Sequence, residues 1–255
     1  MRKALSVPTV AAISFALSAC VNQQIPGPSN TVIQRVLKDA PGAAQPSTIV
    51  STELAYARAA KERGFANAAS DYAAPGALLH GRYGVVPFEN VADDLRQADI
   101  QTQWAPRLVV KSCDGSLALS QGRFVDREGK VGNYVTTWAR QPDGSYKWTY
   151  DAAGLDDPQP SQRPDFEDGD IVVTAMDVVQ GLIATCSRGD EAVPPPPAIP
   201  VGEGGASAAQ ISRDGTLRWR WEHRTDGVKY VTADYFFEGQ WVTAIEEELA
   251  SASEE

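Results

Sequence analysis

Between Gln103 and Asp151 the chain repeats one pattern four times: a short run that alternates apolar and polar residues, then a turn built around glycine. The first run, Gln103 to Ser112, ends at Cys113-Asp114-Gly115. Asp-Gly between two apolar runs is a strong hairpin signal, because glycine takes positive φ without steric cost. The second run starts at Ser116 and puts Leu117 and Leu119 on one side, with Ala118, Ser120 and Gly122 on the other, the period of two of a pleated strand. Asp126-Arg127-Glu128-Gly129 closes it. In the third run Tyr134, Thr136 and Trp138 share one face while Val131, Val135 and Thr137 share the other. Gln141-Pro142-Asp143-Gly144 then turns the chain, proline presetting φ for its second position. In the fourth run Tyr146, Trp148 and Tyr150 alternate with Lys147, Thr149 and Asp151. This is an antiparallel meander, and so much aromatic surface needs a cover.

Helices just upstream are the expected cover. Ser51 or Thr52 serves as an N-cap, with Glu53 against the positive end of the helix. Leu54, Ala57, Phe65, Ala68 and Tyr72 recur at helical spacing, interrupted only by Lys61, so one amphipathic helix of about five turns is predicted. Ala73-Ala74-Pro75-Gly76 ends it. A loop with His80 and Tyr83 leads to Pro87, which suits the start of a second helix carrying Val91, Ala92 and Leu95. The predicted class is α+β, helices followed by a strongly curved sheet.

Taken in order, Gly64-Phe65, Asp71-Tyr72, Trp104-x-Pro106, Ser112-x-Asp114-Gly115-x-Leu117, Gly132-x-Tyr134, Trp138-x-Arg140-Gln141-x-Asp143-Gly144, Lys147 and a closing Asp151 resemble the nuclear transport factor 2-like superfamily. The branch they look most like is SnoaL-like or ketosteroid-isomerase-like. The likeness spans about 51–154, and the domain is placed at 51–155. Where such domains often carry Trp two places after the last turn glycine, this chain has Tyr146 and its Trp at Trp148. The resemblance implies a cone of N-terminal helices packed in the concavity of a curved antiparallel sheet, enclosing a pocket. It also implies dimers that pair convex sheet faces. Members that isomerise or cyclise use an Asp base and acidic donors in an apolar pocket, and many members are not catalysts.

The N-terminus carries an address. Arg2 and Lys3 precede an apolar stretch, Val7 to Ala16, too short for a permanent anchor, as in a secretory leader over 1–19. Leu17-Ser18-Ala19-Cys20 resembles a bacterial lipobox, which implies a lipidated Cys20 and attachment to a membrane. Val21, in place of the Asp that retains such proteins in the inner membrane, implies an outer-membrane lipoprotein facing the periplasm. Residues 20–50, rich in Pro, Asn, Gln, Ser and Ala with an apolar burst at Val32, Ile33, Val36 and Leu37, read as a flexible tether reaching about 30 Å. With 23 basic against 33 acidic residues and a net charge of −10, the chain is no binder of nucleic acid. Cys113 and Cys186 form the candidate disulfide of an oxidising compartment. Cysteines and histidines are too few and too scattered for a metal site, and no cofactor is indicated.

Downstream, 156–168 reads as a Pro-rich linker. Residues 169–248 form a C-terminal β-rich region. Within it, Ile171 to Cys186 is compatible with strand or helix, Pro194 to Pro197 reads as a stiff spacer, and Asp214-Gly215 opens a second meander of three strands. There Leu217, Trp219, Trp221 and His223 form an aromatic face. Residues 249–255, with Glu246, Glu247 and Glu248 before them, read as a solvated acidic tail. Asp114-Gly115-Ser116-Leu117 and Asp214-Gly215-Thr216-Leu217 echo each other, as do Tyr134-Val135-Thr136 and Tyr230-Val231-Thr232. Common hairpin grammar can produce as much as a duplication would.

Candidate pocket residues are His80, Trp104, Tyr134 and Trp138, with Asp99 just before the first strand. No set of residues commits the chain to a reaction. The favoured expectation is a non-catalytic domain binding a small apolar ligand or an envelope protein, with an isomerase- or hydrolase-like enzyme as alternative and a homodimer as a further possibility. An ionisable group with a shifted pKa inside the concavity would reverse that preference.

Overall fold

Pro46 opens the first helix, where its missing N–H leaves nothing unsatisfied. In the computed structural model, which describes residues 44–98, 100–160, 178–187, 192–199 and 205–251, α1 spans Pro46–Arg63 and stops at Gly64, whose φ is 85°. The helix restarts as α2, Phe65–Tyr72. The single helix expected from Ser51 is therefore two, and it begins within the stretch read as tether, whose Ala44 and Ile49 are buried. The buried face of α1 carries Ile49, Glu53, Tyr56, Ala59 and Ala60, while Leu54 is 47% exposed. The predicted stripe was out of phase because it ran residues of α2 into the rotation of α1. Glu53 is accordingly a core residue, not a first-turn acid.

The loop expected around His80 is a hairpin of β1, Ala73–Gly81, and β2, Gly84–Pro87. Pro87 leads into a 3₁₀ turn, Phe88–Asn90, and the short helix α3 starts at Ala92 and ends at Gln97. The meander forms as its turns dictate: β3 (Thr102–Lys111), β4 (Leu117–Asp126), β5 (Val131–Arg140) and β6 (Tyr146–Leu155) pair antiparallel. β1 joins β6 in parallel, and β7 (Gln180–Ile183) joins β3 in parallel. The seven-stranded sheet runs β2-β1-β6-β5-β4-β3-β7, so the domain takes a strand from beyond the boundary placed at 155.

The described part of the expected linker is also bound to this sheet. Arg123 grips Asp156 with two hydrogen bonds, and the Gln159 amide brackets Val131 by accepting its N–H at 2.8 Å and donating to its carbonyl at 2.9 Å. A disulfide joins Cys113, at the β3–β4 turn, to Cys186, just after β7, with Cα atoms 5.2 Å apart.

A second sheet holds β8 (Ala206–Ile211), β9 (Leu217–His223), β10 (Lys229–Phe237) and β11 (Gln240–Leu249) in the order β11-β10-β9-β8. Three strands were expected; β8 is exposed throughout and has no apolar alternation to announce it. Glu246, Glu247 and Glu248 are not tail but strand, hydrogen-bonded to Tyr230, Gln121 and Arg224. The leader, Cys20, the apolar burst near residue 33, Asp99, residues 161–177 and 252–255 lie outside the described residues.

The large sheet is covered on both faces. Its concave face packs on the helices through Ile49, Ala60, Ala68, Trp138 and Trp148. Its opposite face, through Leu119, Val135 and Tyr150, packs on Leu217, Trp219, Val231 and Ile245 of the second sheet. The convex face that the family resemblance assigns to a dimer partner is thus filled by this chain's own C-terminal strands. The echoing turns meet there. In each, a serine hydroxyl (Ser112, Ser212) donates to the aspartate two places on, and the Asp114 N–H donates to Asp214 at 2.8 Å while the Cys113 N–H donates to the Thr216 hydroxyl at 3.0 Å.

Candidate functional site

A cavity of about 250 Å³ lies between the helices and the concave sheet face. α1 contributes Glu53 and Tyr56, α2 Phe65, β3 Trp104, β4 Phe124, β5 Tyr134, Thr136 and Trp138, and β6 Asp151. Exposed Gln101 sits among the lining residues that precede β3 and marks the open end. Aromatic rings wall most of it: Tyr56 meets Trp104 edge-on at 4.9 Å, and Phe65 meets the same indole at 6.2 Å.

Three carboxyl groups line this apolar space: Asp126, half-buried and tied to the β4–β5 turn by the Glu128 and Lys130 N–H groups, and the more deeply buried Glu53 and Asp151. The Tyr134 hydroxyl donates to Glu53 Oε1, and Glu53 Oε2, with the residue only 1% exposed, has no protein partner. Burial raises the Glu53 carboxyl from its ordinary 4.5 to about 7, against the pull of the Tyr134 and nearby Ser120 hydroxyls. Asp151 accepts a 2.5 Å hydrogen bond from the Thr136 hydroxyl, and burial raises it from 3.8 to about 6 despite that bond and the Lys229 charge. Burial, with the Glu53 charge beside it, holds the Tyr134 phenol well above its usual range, so it stays a donor.

The fold keeps these groups in place. The Trp138 indole N–H donates to Ser120 Oγ at 2.9 Å, fixing one wall. At Gly122 a Cβ would come within 2.6 Å of the Tyr134 hydroxyl and 2.2 Å of the Ala105 carbonyl, so only glycine leaves that hydroxyl its position. Asp151 faces the cavity because the β5–β6 register shifts between Thr137 and Trp138: Thr137 pairs with Tyr150 and Trp138 with Trp148, leaving Thr149 as the extra residue of a bulge.

Of the residues picked from the sequence, Trp104, Tyr134 and Trp138 line the cavity. His80 does not. It lies opposite Ala152 on β1, on the face turned to the second sheet, where Nδ1 is 2.6 Å from the Tyr150 hydroxyl and Nε2 is 3.0 Å from His223 Nδ1. Burial, reinforced by His223 and Lys229, lowers the His80 pKa to about 3, the reverse of what a base needs. Glu53 and Asp151 were missed. Glu53 shares its helix face with Ile49, Tyr56 and Ala60, and a carboxylate on an apolar stripe was its only signal; Asp151 was hidden by the bulge. Among the described residues no three His, Cys, Asp or Glu side chains gather to hold a metal ion, and no helix is long and apolar enough to cross a membrane.

No family model matches the chain, and no curated protein matches it. Solved structures similar to it include ActVI-ORFA from Streptomyces coelicolor, at 15% identity over 44% of this chain and 96% of that one, with a TM-score of 0.34. A nuclear transport factor 2-like superfamily protein from Salmonella enterica serovar Typhimurium LT2 is 11% identical over 52% and 99%, with a TM-score of 0.35. Nuclear transport factor 2 from Cryptosporidium parvum is 12% identical over 44% and 95%, with a TM-score of 0.35. Likenesses this slight assign no family, activity or ligand.

Proposed function

We propose that the cone cavity catalyses proton transfer on a small apolar molecule, such as an isomerisation through an enol, in a protein anchored by lipid at Cys20 to the periplasmic face of the outer membrane. One observation carries the catalytic reading: Glu53 and Asp151 both line an apolar cavity, and one buried Glu53 oxygen has no hydrogen-bond partner. A pocket used only for binding has no need of a buried acid that destabilises the fold at neutral pH, whereas a proton-transfer site needs groups that titrate near its working pH.

The two acids divide the work by environment. Asp151, at about 6, is mostly ionised at pH 7 and serves as the base that removes a proton beside a carbonyl. Glu53, at about 7, retains its proton in a large share of molecules and donates it to the carbonyl oxygen as that oxygen gains charge, with Tyr134 steadying its Oε1. Asp151 then returns its proton to a second carbon of the enol while the enol O–H gives its proton back to Glu53, so both acids regain their starting states. The aromatic walls bind the substrate body and exclude water. Those members of the resembled family that isomerise or cyclise use an Asp base and acidic donors in the same way. The lipobox residues Leu17-Ser18-Ala19-Cys20 support the anchor, and the disulfide suits an oxidising compartment.

The test is proton exchange in deuterated buffer, followed by NMR on a panel of apolar unsaturated ketones. Wild-type protein should exchange or isomerise at least one, with Asp151→Asn slowing it at least a hundredfold and Glu53→Gln by a smaller factor. Exchange at the wild-type rate in both folded variants would remove the catalytic reading. For the anchor, a clickable fatty acid should label wild type and not Cys20→Ala.

A further inference from the structure

The outer face of the second sheet grips four consecutive prolines. Trp241 on β11 donates its indole N–H to the Pro194 carbonyl at 2.9 Å, and Arg218 on β9 donates to the Pro197 carbonyl. Arg218 is itself set in place by Asp234 at 2.5 Å, which also accepts the Thr243 hydroxyl at 2.8 Å. The Trp241 ring leans on Phe236, centroids 6.0 Å apart.

The two accepting carbonyls, three residues apart, fall at the period of one conformation. Proline fixes φ and confines the residue before it to extended backbone, so a run of four favours polyproline II. That helix repeats every three residues with a rise of about 3.1 Å, so carbonyls of residues 194 and 197 point the same way about 9 Å apart. β9 and β11 flank β10, and Arg218 sits opposite Asp234 while Trp241 sits opposite Phe236. Their backbones are thus two strand spacings apart across the sheet and two residues apart along it, roughly 11–12 Å, a span that the long arginine side chain brings to the carbonyl period. The contacts fall on backbone carbonyls at that period and not on features peculiar to this segment, and Pro194, Pro195 and Pro197 remain exposed.

We propose that this face is a polyproline-binding surface, occupied in cis by Pro194–Pro197, whose partner is a proline-rich segment of another protein. An indole N–H and a guanidinium holding carbonyls one turn apart is how a surface selects the preformed helix, and any segment of the same period fits it. Its own segment competes at high effective concentration, so a partner gains access only when it is abundant or binds more tightly. The cavity chemistry is not involved.

The experiment uses a fluorescent peptide of residues 192–200, AVPPPPAIP, and the full chain with Pro194, Pro195, Pro196 and Pro197 all changed to Ser. Fluorescence polarisation should show saturable binding to that chain, at least tenfold weaker binding to wild type, and at least fivefold loss when Trp241→Phe is added. As a readout independent of the serine variant's folding, excess peptide added to wild type should shift the indole N–H resonance that Trp241→Phe removes. Four outcomes overturn the proposal: no binding to the folded serine variant together with an unmoved resonance, equal binding to both chains, equal binding with and without the Trp241 N–H, or a wild-type dimer that becomes monomeric when the prolines are replaced, which would make a second copy the occupant.

Discussion

Trp148 and Tyr150, two residues apart on β6, lie on opposite faces of the large sheet. Trp148 packs under the helices, donating its indole N–H to the Ala69 carbonyl at 3.1 Å, while Tyr150 meets Trp219 of the second sheet at a tilt, 4.8 Å between ring centres. The bulge at Thr149 separates them, and its consequence is chemical: the residue after Tyr150 is aimed into the cavity. One extra residue thus supplies both cores with an aromatic anchor and the site with its second acid.

Glu53→Gln should stabilise the protein at high pH. The folded pKa of about 7 lies above the ordinary 4.5, so the folded state favours the protonated acid. That contribution is complete below about 4.5 and is lost as pH rises through 7. Urea unfolding should show the variant more stable than wild type by roughly 1–3 kcal/mol at pH 8, with the gain shrinking toward pH 5. A pH-independent difference would mean that the carboxyl is not held neutral by burial.

The meander was legible because its information is local. Each Asp-Gly turn and each alternation from Leu117 to Trp138 lies within a few residues of its partners, and the same held for the aromatic face of β9. What failed was long-range or subtractive. Gly64 splits a helix whose two stripes look continuous, β7 depends on a parallel partner far off in sequence, Gln180 lying against Leu108, and β8 is recruited by β9 with no pattern of its own. The site was half legible: aromatic wall residues follow from alternation, whereas Asp151 depends on a bulge that alternation cannot reveal and Glu53 on a helix phase set by Pro46 and Gly64.

His80 should make the packing of the two sheets acid-sensitive. Its folded pKa, about 3, is below the ordinary 6.5, so its contribution is full above 6.5 and is lost as pH falls from there toward 3. Glu53 and Asp151 respond in the opposite direction, so the informative quantity is the difference between wild type and His80→Gln. That difference should move against wild type by about 2 kcal/mol between pH 8 and pH 5, measured by urea denaturation. A flat difference would show that the imidazole is solvated in the folded protein.

Opening the disulfide should loosen the chain without dispersing the cavity. Cys113 and Cys186 are 73 residues apart in sequence, and closing a loop of that size restrains the unfolded chain by about 4 kcal/mol in the chain-entropy model, with about 2–4 typical. Cys113→Ser with Cys186→Ser should lower the unfolding free energy within that range, while near-ultraviolet circular dichroism from Trp104 and Trp138 stays native. Loss of that signal in the folded variant would mean that the β3–β7 pairing supports the cavity wall directly.

Removing the second sheet should expose a face the first cannot leave in water. Leu119, Val135 and Tyr150 are each buried to 1% exposure or less, and on that face they pack against β9, β10 and β11. Uncovering them with their neighbours creates a contiguous apolar patch of the kind that drives association. A chain ending at Ile199 should therefore aggregate or, if soluble, dimerise through that face, as read by light scattering. Co-expressing residues 205–251 as a separate piece should restore a monodisperse complex, because the Asp114–Asp214 and Cys113–Thr216 hydrogen bonds fix how the sheets register. A soluble truncated monomer with wild-type thermal stability would show that the large sheet needs no cover on that side.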